Sequence, residues 1–315
     1  MNSGVPATAE KIGDPGSGFS KAAKVVTSTY SFPYLPHACM EPINCTVDLR
    51  ADGCTILAPT QAPGSVQAAA AAVTGLPASA VQVESLLMGG GLGRKFEVDY
   101  IIQAVKIAQA VGKPVKLTWS REEDFGNDQY RPMALVKAKT GIDAKGMITA
   151  QTFRVVSPSI LYQRGWIPDG VADSQCTEGC TQLPYAIPAR QTDFVHHPAA
   201  IPVGFWRSVG HSINAFAVEC AIDEAAKAAG KDPYAFRRGL LASNARALAV
   251  LDAAAKLGGW SKPLLAGRAR GIAYAEAFGS LTAQVVEIKK VSASGATPVM
   301  IKVMKVSVAV DCGMV

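Results

Sequence analysis

The 315 residues carry 31 basic and 25 acidic side chains, a formal net charge of +6, and 49% of them are hydrophobic. This composition excludes a disordered chain, because it allows a sizeable core and about two domains. The charges are dispersed and the purely apolar runs, such as residues 68–73, are short. We therefore expect a soluble protein with no nucleic-acid partner and no transmembrane segment.

The first residues mix Gly, Pro, Ser and Ala without the basic and apolar regions of a signal peptide. We expect a flexible tail over residues 1–20, and both cytoplasmic and periplasmic locations stay open. Domain boundaries are predicted near residue 20 and near residues 242–246. This divides the rest of the chain into a first domain, residues 21–245, and the start of a second, residues 246–315.

Strands and helices alternate in the first half of the chain. Gly75 and Gly112 follow helical patterns, as residues that end helices do. The pattern predicts strands at residues 54–58, 81–88 and 115–119, helices at residues 65–73 and 97–111, and a glycine turn at residues 89–95.

The second half predicts long ordered loops over residues 158–210, which are rich in Pro, Gly and aromatic residues. A helix is predicted over residues 213–229 with Phe216, Ala217 and Cys220 on its inner face, and Asp232 before Pro233 starts another. A helix at residues 246–257 and an apolar strand at residues 299–310 follow. We expect both to lack partners within this chain. The fold class is α+β, with mixed α/β sheets.

Side-chain metal sites and hydrolase chemistry find little support. Cys176 and Cys180 precede His196 and His197, but a structural zinc site requires four committed ligands, and the seven cysteines show no iron–sulfur spacing. We expect reduced, structural thiols and no metal held by protein side chains. The histidines have no Gly-x-Ser-x-Gly partner, which disfavours a serine hydrolase. Glu97 and Asp99 follow the glycine turn, where structural roles are favoured over catalysis.

Residues 89–95 read Gly-Gly-Gly-Leu-Gly-Arg-Lys. A dinucleotide fingerprint requires glycine where Arg94 stands, and a P-loop requires Ser or Thr where Phe96 stands. Both standard nucleotide motifs are therefore excluded. Residues without a Cβ still allow a ligand to approach the backbone, and free N–H groups near a helix start favour anionic atoms. A ligand-binding turn and a plain tight turn both remain open.

Two further segments carry candidate groups. Residues 202–210 place Arg207 in a turn just before a helix, where a guanidinium fork lies beside the first amides. Residues 60–64 place Gln61 ahead of a helix. The alternatives are a surface arginine with a capping serine and a glutamine without a ligand. We expect Gln61, residues 89–93 and Arg207 to converge on one cleft.

Seven segments, taken in order, resemble the molybdopterin-binding large subunit of the xanthine dehydrogenase and aldehyde oxidase family, and within it the isoquinoline 1-oxidoreductase beta subunit branch. The resemblance covers about residues 25–315. The segments are His-Ala-Cys-Met-Glu-Pro at 37–42, Ala-Pro-Thr-Gln-Ala-Pro at 58–63, Gly-Gly-Gly-Leu-Gly-Arg at 89–94, residues 113–124, Phe-Trp-Arg-Ser-Val-Gly at 205–210, Asp232-Pro233 with Phe236-Arg237, and Asp-Cys-Gly at 311–313.

This resemblance implies a molybdenum-dependent oxidoreductase that hydroxylates N-heterocycles or aldehydes with oxygen from water. The implied cofactor is molybdopterin cytosine dinucleotide, and the implied partner is a small [2Fe-2S] subunit that receives the electrons. Catalytic roles are implied for Gln61, which matches a glutamine that hydrogen-bonds an oxygen on molybdenum, and for Arg207 beside the substrate. The implied cofactor-binding residues are Gln61, Gly90, Gly91, Leu92, Gly93, Arg207, Ser208 and Val209.

The sequence departs from the family in two ways. Phe96 stands where xanthine-oxidising relatives carry a glutamate that holds a purine, so aromatic heterocycles or aldehydes are favoured over purines. The catalytic glutamate of a late segment and an early Gly-Gln-Gly cofactor segment have no counterpart here. We therefore expect a piece of a longer subunit. The alternative is a non-catalytic truncated fragment or pseudoenzyme that acts as an interaction module.

Overall fold

A computed structural model describes residues 4–291 and 300–313. Several of its strands, such as β3, β4 and β7, alternate more and less buried side chains, as strands with one face on a core do. They are β1 (Ala7–Ile12), β2 (Lys24–Phe32), β3 (Asn44–Leu49), β4 (Cys54–Ala58), β5 (Val81–Ser85), β6 (Val115–Thr118), β7 (Ala134–Ile142), β8 (Ile148–Ser157), β9 (Arg190–His196), β10 (Arg268–Ala277), β11 (Ser280–Val291) and β12 (Met300–Asp311).

Most of the helices begin at capping residues or prolines, α3 and α7 being the exceptions among those described, and several end at glycine. None of those within the described residues is long and apolar enough to cross a membrane. They are α1 (Pro15–Ser20), α2 (Pro63–Thr74), α3 (Asp99–Val111), α4 (Arg121–Gly126), α5 (Ile160–Gln163), α6 (Ser174–Thr177), α7 (His211–Ala228), α8 (Pro233–Leu240) and α9 (Ala245–Gly258), with 3₁₀ turns at Ala78–Ala80 and Arg94–Phe96.

A four-stranded sheet in the order β5-β4-β3-β6 carries the first group of predicted elements. The parallel pair β4 and β5 is joined through α2, and β3 pairs antiparallel with both β4 and β6. Helices α2 and α3 bury one apolar stripe each on this sheet, including Val66, Ala70, Ile101 and Val105. The unit leaves the carboxyl ends of β4 and β5 side by side, and Gln61 and the glycine turn follow these two ends.

A five-stranded sheet in the order β1-β9-β8-β7-β2 forms the largest layer. The pair β8 and β9 is parallel and the other pairs are antiparallel. Helix α7 packs across β7 and β2 and buries Ile213, Ala217, Val218 and Ala221. The segment before α7 reaches the four-stranded sheet, because Phe205 lies directly against Gly93 in the turn that follows β5.

The third sheet has the order β10-β11-β12, and all its pairs are antiparallel. Helix α9 covers its inner face and buries Val250 and Leu251 there, together with Leu281 and Val285 of the sheet. The expectation that the helix at residues 246–257 and the strand at residues 299–310 lack partners is therefore wrong, because α9 packs on β11 and β12, and β12 pairs with β11 along its described length. The core between α9 and the third sheet is continuous with the core of the five-stranded sheet. The predicted α+β class with mixed sheets is confirmed.

Three other expectations need correction. The predicted tail over residues 1–20 contains β1, which pairs with β9, and α1, where Asp14 caps the helix by accepting from the Gly16 N–H. The long loops predicted at residues 158–210 contain the strand β9. On α7, Phe216 is 57% exposed and Cys220 half-buried, because the inner face runs through Ile213, Ala217 and Ala221 instead. Residue 299 of the predicted last strand lies outside the described residues.

Candidate functional site

The glycine turn lies between β5 and the 3₁₀ turn before α3. Gly90, Leu92 and Gly93 have φ of +93°, +54° and +102°, a left-handed conformation that favours glycine. A Cβ on Gly91 would overlap the side-chain amide oxygen of Gln61, and a Cβ on Gly93 would overlap the carbonyl oxygen of Phe205. The turn is therefore packed between the Gln61 segment and the segment that carries Arg207.

The middle of this turn presents unpaired backbone donors. The N–H of Gly89 donates to the Glu41 carboxylate at 2.8 Å, and that of Gly93 donates to Gln61 Oε1 at 3.0 Å. Within residues 4–291 and 300–313, no group accepts a hydrogen bond from the N–H groups of the three residues between them, 90–92. Consecutive free N–H groups in a left-handed turn form a concavity suited to anionic or oxygen-rich ligands.

Gln61 is fixed by two contacts to the glycine turn. Its backbone N–H donates to the Lys95 carbonyl at 2.9 Å, and its side-chain oxygen accepts from Gly93. Because the oxygen is engaged, the side-chain NH₂ group is the free end, and it donates to none of the described residues. The exposed Gln61 thus adds two donors beside the row of free N–H groups.

The Arg207 turn is strained. Ser208 and Val209 have φ of +67° and +44°, which costs a non-glycine residue about 1–3 kcal/mol. The Arg207 guanidinium lies 4.7 Å from the centre of the Trp206 ring, and Arg207 and Ser208 are exposed. This places a cation at the surface two residues after Phe205, whose carbonyl touches the glycine turn. The three predicted segments therefore meet, on an exposed face rather than in an enclosed cleft.

A strap at residues 37–41 holds the glycine turn from behind. Cys39 Sγ donates to the Gly91 carbonyl at 3.2 Å. Glu41 accepts from Gly89, forms an ion pair with the buried Lys95, and donates its own N–H to the Gly89 carbonyl at 3.1 Å. The segment is one of the seven that carry the family resemblance, but the sequence alone predicts no role for its residues. Its signal in the sequence is the alternation of polar side chains at positions 37, 39 and 41.

The same strap leads to a buried ionic cluster. The His37 ring lies between Asp128 Oδ1, 2.9 Å from Nδ1, and the Phe205 carbonyl, 3.2 Å from Nε2. Arg94 Nε forms an ion pair with Asp128 Oδ1 at 3.0 Å without a hydrogen bond, and its two terminal nitrogens donate to the Asp99 carboxylate at 2.7 and 2.8 Å. His37, Arg94 and Asp128 are at most 3% exposed. The sequence analysis predicted none of these partners except Asp99. A structural role was expected for Asp99, and its ion pair with Arg94 agrees with that expectation.

The environment shifts the ionisation of this cluster. Burial raises the pKa of Asp128, but hydrogen bonds from His37 and the charge of Arg94 outweigh it, so the pKa lies below its usual range. Burial raises the pKa of Cys39 to about 11, which keeps a proton on the thiol that donates to Gly91. Asp128 is therefore a carboxylate that accepts and Cys39 a thiol that donates, the forms that their hydrogen bonds require.

Aromatic side chains form a wall beside the turn. Phe96 and Phe205 meet edge to face with ring centres 5.3 Å apart, and Trp166 lies 6.1 Å from Phe205. Arg164 stacks 4.7 Å from the centre of the Phe205 ring and pairs with Glu97. The wall gives the site an apolar side, and the ion pair assigns Glu97 the structural role that was favoured.

Side-chain metal ligands are not gathered elsewhere in the part of the chain that is described. No three His, Cys, Asp or Glu side chains in residues 4–291 and 300–313 form a group that could hold a metal ion. Cys176 and Cys180 are 7% and 0% exposed as free thiols in the core. A separate cavity of about 240 Å³ lies at the start of α7 and is lined by Glu178, His211 and Phe278. It does not include the glycine turn.

The family model of the molybdopterin cofactor-binding domain matches residues 2–240. The chain belongs to this family. The match includes the Gln61 segment, the glycine turn and the Arg207 turn. The resemblance inferred from the seven sequence segments is thereby confirmed.

Similar proteins include subunit beta of isoquinoline 1-oxidoreductase from Brevundimonas diminuta, 28% identical over 88% of this chain and 36% of the relative. The molybdenum-binding subunit of an aldehyde oxidoreductase from Escherichia coli O157:H7 is 30% identical over 72% of this chain and 30% of the relative. The chain thus spans about a third of the length of these curated relatives.

Solved structures show the same fold. Quinoline 2-oxidoreductase from Pseudomonas putida 86 matches with a TM-score of 0.72 and 17% identity, over 90% of this chain and 38% of the other. The aldehyde oxidoreductase from Desulfovibrio gigas matches with a TM-score of 0.68 and 20% identity, over 89% of this chain and 32% of the other. The predicted fold of a molybdenum-cofactor-binding domain is therefore confirmed.

Proposed function

We propose that this chain supplies part of the molybdopterin-binding subunit of a molybdenum hydroxylase, and that it binds molybdopterin cytosine dinucleotide at the glycine turn. The reaction would oxidise an N-heterocycle or aldehyde with oxygen from water. The observation that carries the proposal is the row of free N–H groups at residues 90–92, which lies between the donors of Gln61 and the Arg207 turn.

The donor set fits an anionic, oxygen-rich cofactor. Backbone N–H groups of Gly90, Gly91 and Leu92 and the NH₂ group of Gln61 all donate, and none of them carries a charge that would require neutralisation. A Cβ on Gly91 would displace the Gln61 amide, whereas Gly90 faces open space. When bound, the group supplies two-electron oxidation chemistry, and the protein supplies position and electrostatics.

Each site residue then has a definite task. Gln61 donates its NH₂ group to an oxygen of the cofactor, because Gly93 holds the other end of the amide in place. Arg207 supplies a positive charge at the edge of the site, and the strained backbone of Ser208 and Val209 aims it. Gly93 allows the two turns to touch, since any side chain there would separate them.

The aromatic wall favours flat apolar substrates. Phe96, Phe205 and Trp166 offer ring faces and edges but no carboxylate for a purine. Relatives named for isoquinoline, nicotinate and aldehyde support the same class. We propose N-heterocycles or aldehydes as substrates on these grounds.

We propose a small [2Fe-2S] subunit as the electron acceptor. The relatives are named as subunits of larger enzymes, which supports an assembly of separate chains. In the described structure the seven cysteines are free thiols, five of them buried, and none belongs to a metal-binding group. Electrons that leave the site therefore need a partner that provides its own cluster.

The test is the metal content of the full chain, expressed in a bacterial host that makes the cofactor. Molybdenum is measured by elemental analysis and the dinucleotide by release of CMP on acid hydrolysis. We expect stoichiometric molybdenum in the wild type. In Gly91→Val we expect a loss of about tenfold or more, because a clash costing about 1.4 kcal/mol already gives that factor.

The matched control is Gly239→Ala on the exposed side of α8, where a new Cβ meets no atom within 4 Å. It is expected to retain the wild-type molybdenum content. Wild-type chain without molybdenum or CMP would contradict the proposal and favour the alternative, a non-catalytic interaction module.

A further inference from the structure

The His37 ring has an unusual pair of partners. Nδ1 lies 2.9 Å from a carboxylate oxygen of Asp128, and Nε2 lies 3.2 Å from the Phe205 carbonyl oxygen. The backbone N–H of His37 also donates to the other oxygen of Asp128. The ring is thus clamped from both sides, and neither side offers it a donor.

Carboxylate and carbonyl oxygens only accept hydrogen bonds, so both ring nitrogens must donate to satisfy them. A neutral imidazole has one N–H and one lone pair, whereas an imidazolium has two N–H groups. A neutral His37 would direct a lone pair at the Phe205 carbonyl or at Asp128. Only the imidazolium makes both hydrogen bonds.

The surrounding charges accommodate this form. Lys95 and Glu41 neutralise each other, and the Cys39 thiol is uncharged. The charged groups that remain near the ring are Arg94 and Arg121 on the positive side and Asp99, Asp124 and Asp128 on the negative side. Burial raises the pKa of Asp124, whereas the pKa of Asp128 is lowered, so Asp128 is the anion with which an imidazolium at His37 pairs.

The Phe205 carbonyl connects this cluster to the site. Gly93 packs directly on that oxygen, and Arg207 follows two residues later. The hydrogen bond from His37 therefore acts at the point where the glycine turn meets the Arg207 turn. Its loss frees both turns to move apart.

We propose that His37 is a positioning residue: held as an imidazolium by Asp128, it donates to the Phe205 carbonyl and fixes the Arg207 turn against the glycine turn. The role in cofactor binding rests on the proposed function, whereas the charge and the clamp belong to this chain alone.

The first test is NMR of the full chain labelled with ¹⁵N-histidine, at a pH where free imidazole is neutral. Two-bond ¹⁵N–¹H correlations separate protonated from unprotonated ring nitrogens, and the chain has only four histidines. The variant His37→Gln assigns the signal by its loss. We expect one histidine with two protonated nitrogens, and that signal belongs to His37. An unprotonated nitrogen on His37 overturns the proposal.

The second test is hydrogen exchange of residues 89–96 and 203–211 in His37→Gln. Loss of a charge-assisted hydrogen bond predicts exchange about ten- to a hundredfold faster in these two turns. Residues 134–157 of the five-stranded sheet are expected to keep wild-type protection. The control His197→Gln replaces a histidine outside the cluster and is expected to change neither turn.

Unchanged exchange in both turns overturns the positioning role even if His37 is an imidazolium. Faster exchange spread equally over residues 134–157 overturns it as well, because it reports a general loss of stability. Neither measurement needs bound cofactor. A chain that fails to take up molybdenum therefore contradicts the proposed function and leaves these two results to decide the role of His37.

Discussion

Gln61 engages the glycine turn through one end of its amide and leaves the other end free. The N–H of Gly93 donates to Oε1 of Gln61, and this hydrogen bond determines which end of the side-chain amide is the oxygen. A single exposed side chain thereby connects the start of α2 to the residues that follow β5. The cost of removing it is local, because Gln61 buries little surface.

Gln61→Ala is expected to lower the molybdenum content of the purified chain about tenfold and to leave the thermal midpoint nearly unchanged. The substitution removes one donor to the cofactor and the acceptor for Gly93 while leaving the core intact. Elemental analysis and thermal unfolding measure the two effects. Gln109→Ala, on the exposed face of α3, is the control. Equal metal content in both variants would contradict the role of Gln61.

Asp128 predicts a pH dependence of stability. Its pKa in the folded chain lies below the unfolded value, so its carboxylate contributes stability that is present above the unfolded pKa, about 3.9. This contribution is lost as the pH falls through the folded pKa. The free energy of unfolding of the wild type is therefore expected to fall more steeply below about pH 4 than that of Asp128→Asn.

Urea unfolding from pH 6 down to pH 3 checks this expectation, with the two stability curves converging on the acid side. Parallel curves would show that Asp128 is not held as a carboxylate by His37 and Arg94.

At the scale of elements, a second buried ionic group joins α7, α8 and β10. Arg237 Nε donates to Glu219 at 2.8 Å, and its Nη2 donates to the Glu219 carbonyl at 3.0 Å. The same carboxylate accepts from the Tyr185 hydroxyl at 2.6 Å and from the Tyr274 N–H at 2.8 Å. This buried ionic group fixes the position of α7, and the first turn of α7 directly follows the Arg207 segment.

Arg237→Ala is expected to lower the free energy of unfolding by about 3–5 kcal/mol, because it leaves the buried Glu219 charge without its partner. Its neighbour Arg238 pairs with Asp252 in solvent, so Arg238→Ala is expected to leave stability almost unchanged. Denaturant unfolding of the two variants measures the contrast. Similar losses in both would show that burial does not distinguish the pairs.

At the scale of the whole molecule, the third sheet has one covered face and one open face. Helix α9 covers Leu281 and Val285, whereas the opposite face exposes Val306, Val308 and Val310 by 52%, 43% and 56%. In the described residues β12 pairs with β11 alone. An apolar face beside an unpaired strand edge favours self-association.

The isolated chain is therefore expected to associate as its concentration rises, and the triple variant Val306→Thr, Val308→Thr and Val310→Thr is expected to stay monomeric. Threonine keeps the β-branched shape but reduces the apolar area. Light scattering coupled to size-exclusion chromatography across a concentration series measures the mass. Leu257→Lys, a single exposed apolar residue of α9, is the control. A monomeric wild type at every concentration would contradict the expectation.

Among the described elements, local pattern predicted the strands β4, β5, β6 and β12 and the helices α2, α3, α7, α8 and α9. The strand at residues 54–58 has the predicted bounds, and α2, α3, α7 and α9 lie within two residues of theirs. Helical period, glycine ends and capping residues are all encoded by near neighbours. The strands β1 to β3 and β7 to β11 were not predicted. Several of them, such as β1 and β9, depend on pairing with a segment far away in the sequence.

The sequence by itself determined the three candidate site segments and their similarity to the molybdopterin-binding family. Glycine spacing and short motifs are local features, so they can be recognised in the sequence without any information about tertiary contacts. Only the tertiary structure decided what holds those segments together. Gly93 touches Phe205 across more than a hundred residues, and His37 reaches both Asp128 and Phe205. Such contacts arise where strand ends from one sheet meet a loop from another, and a ring between two acceptors has no signature in local sequence.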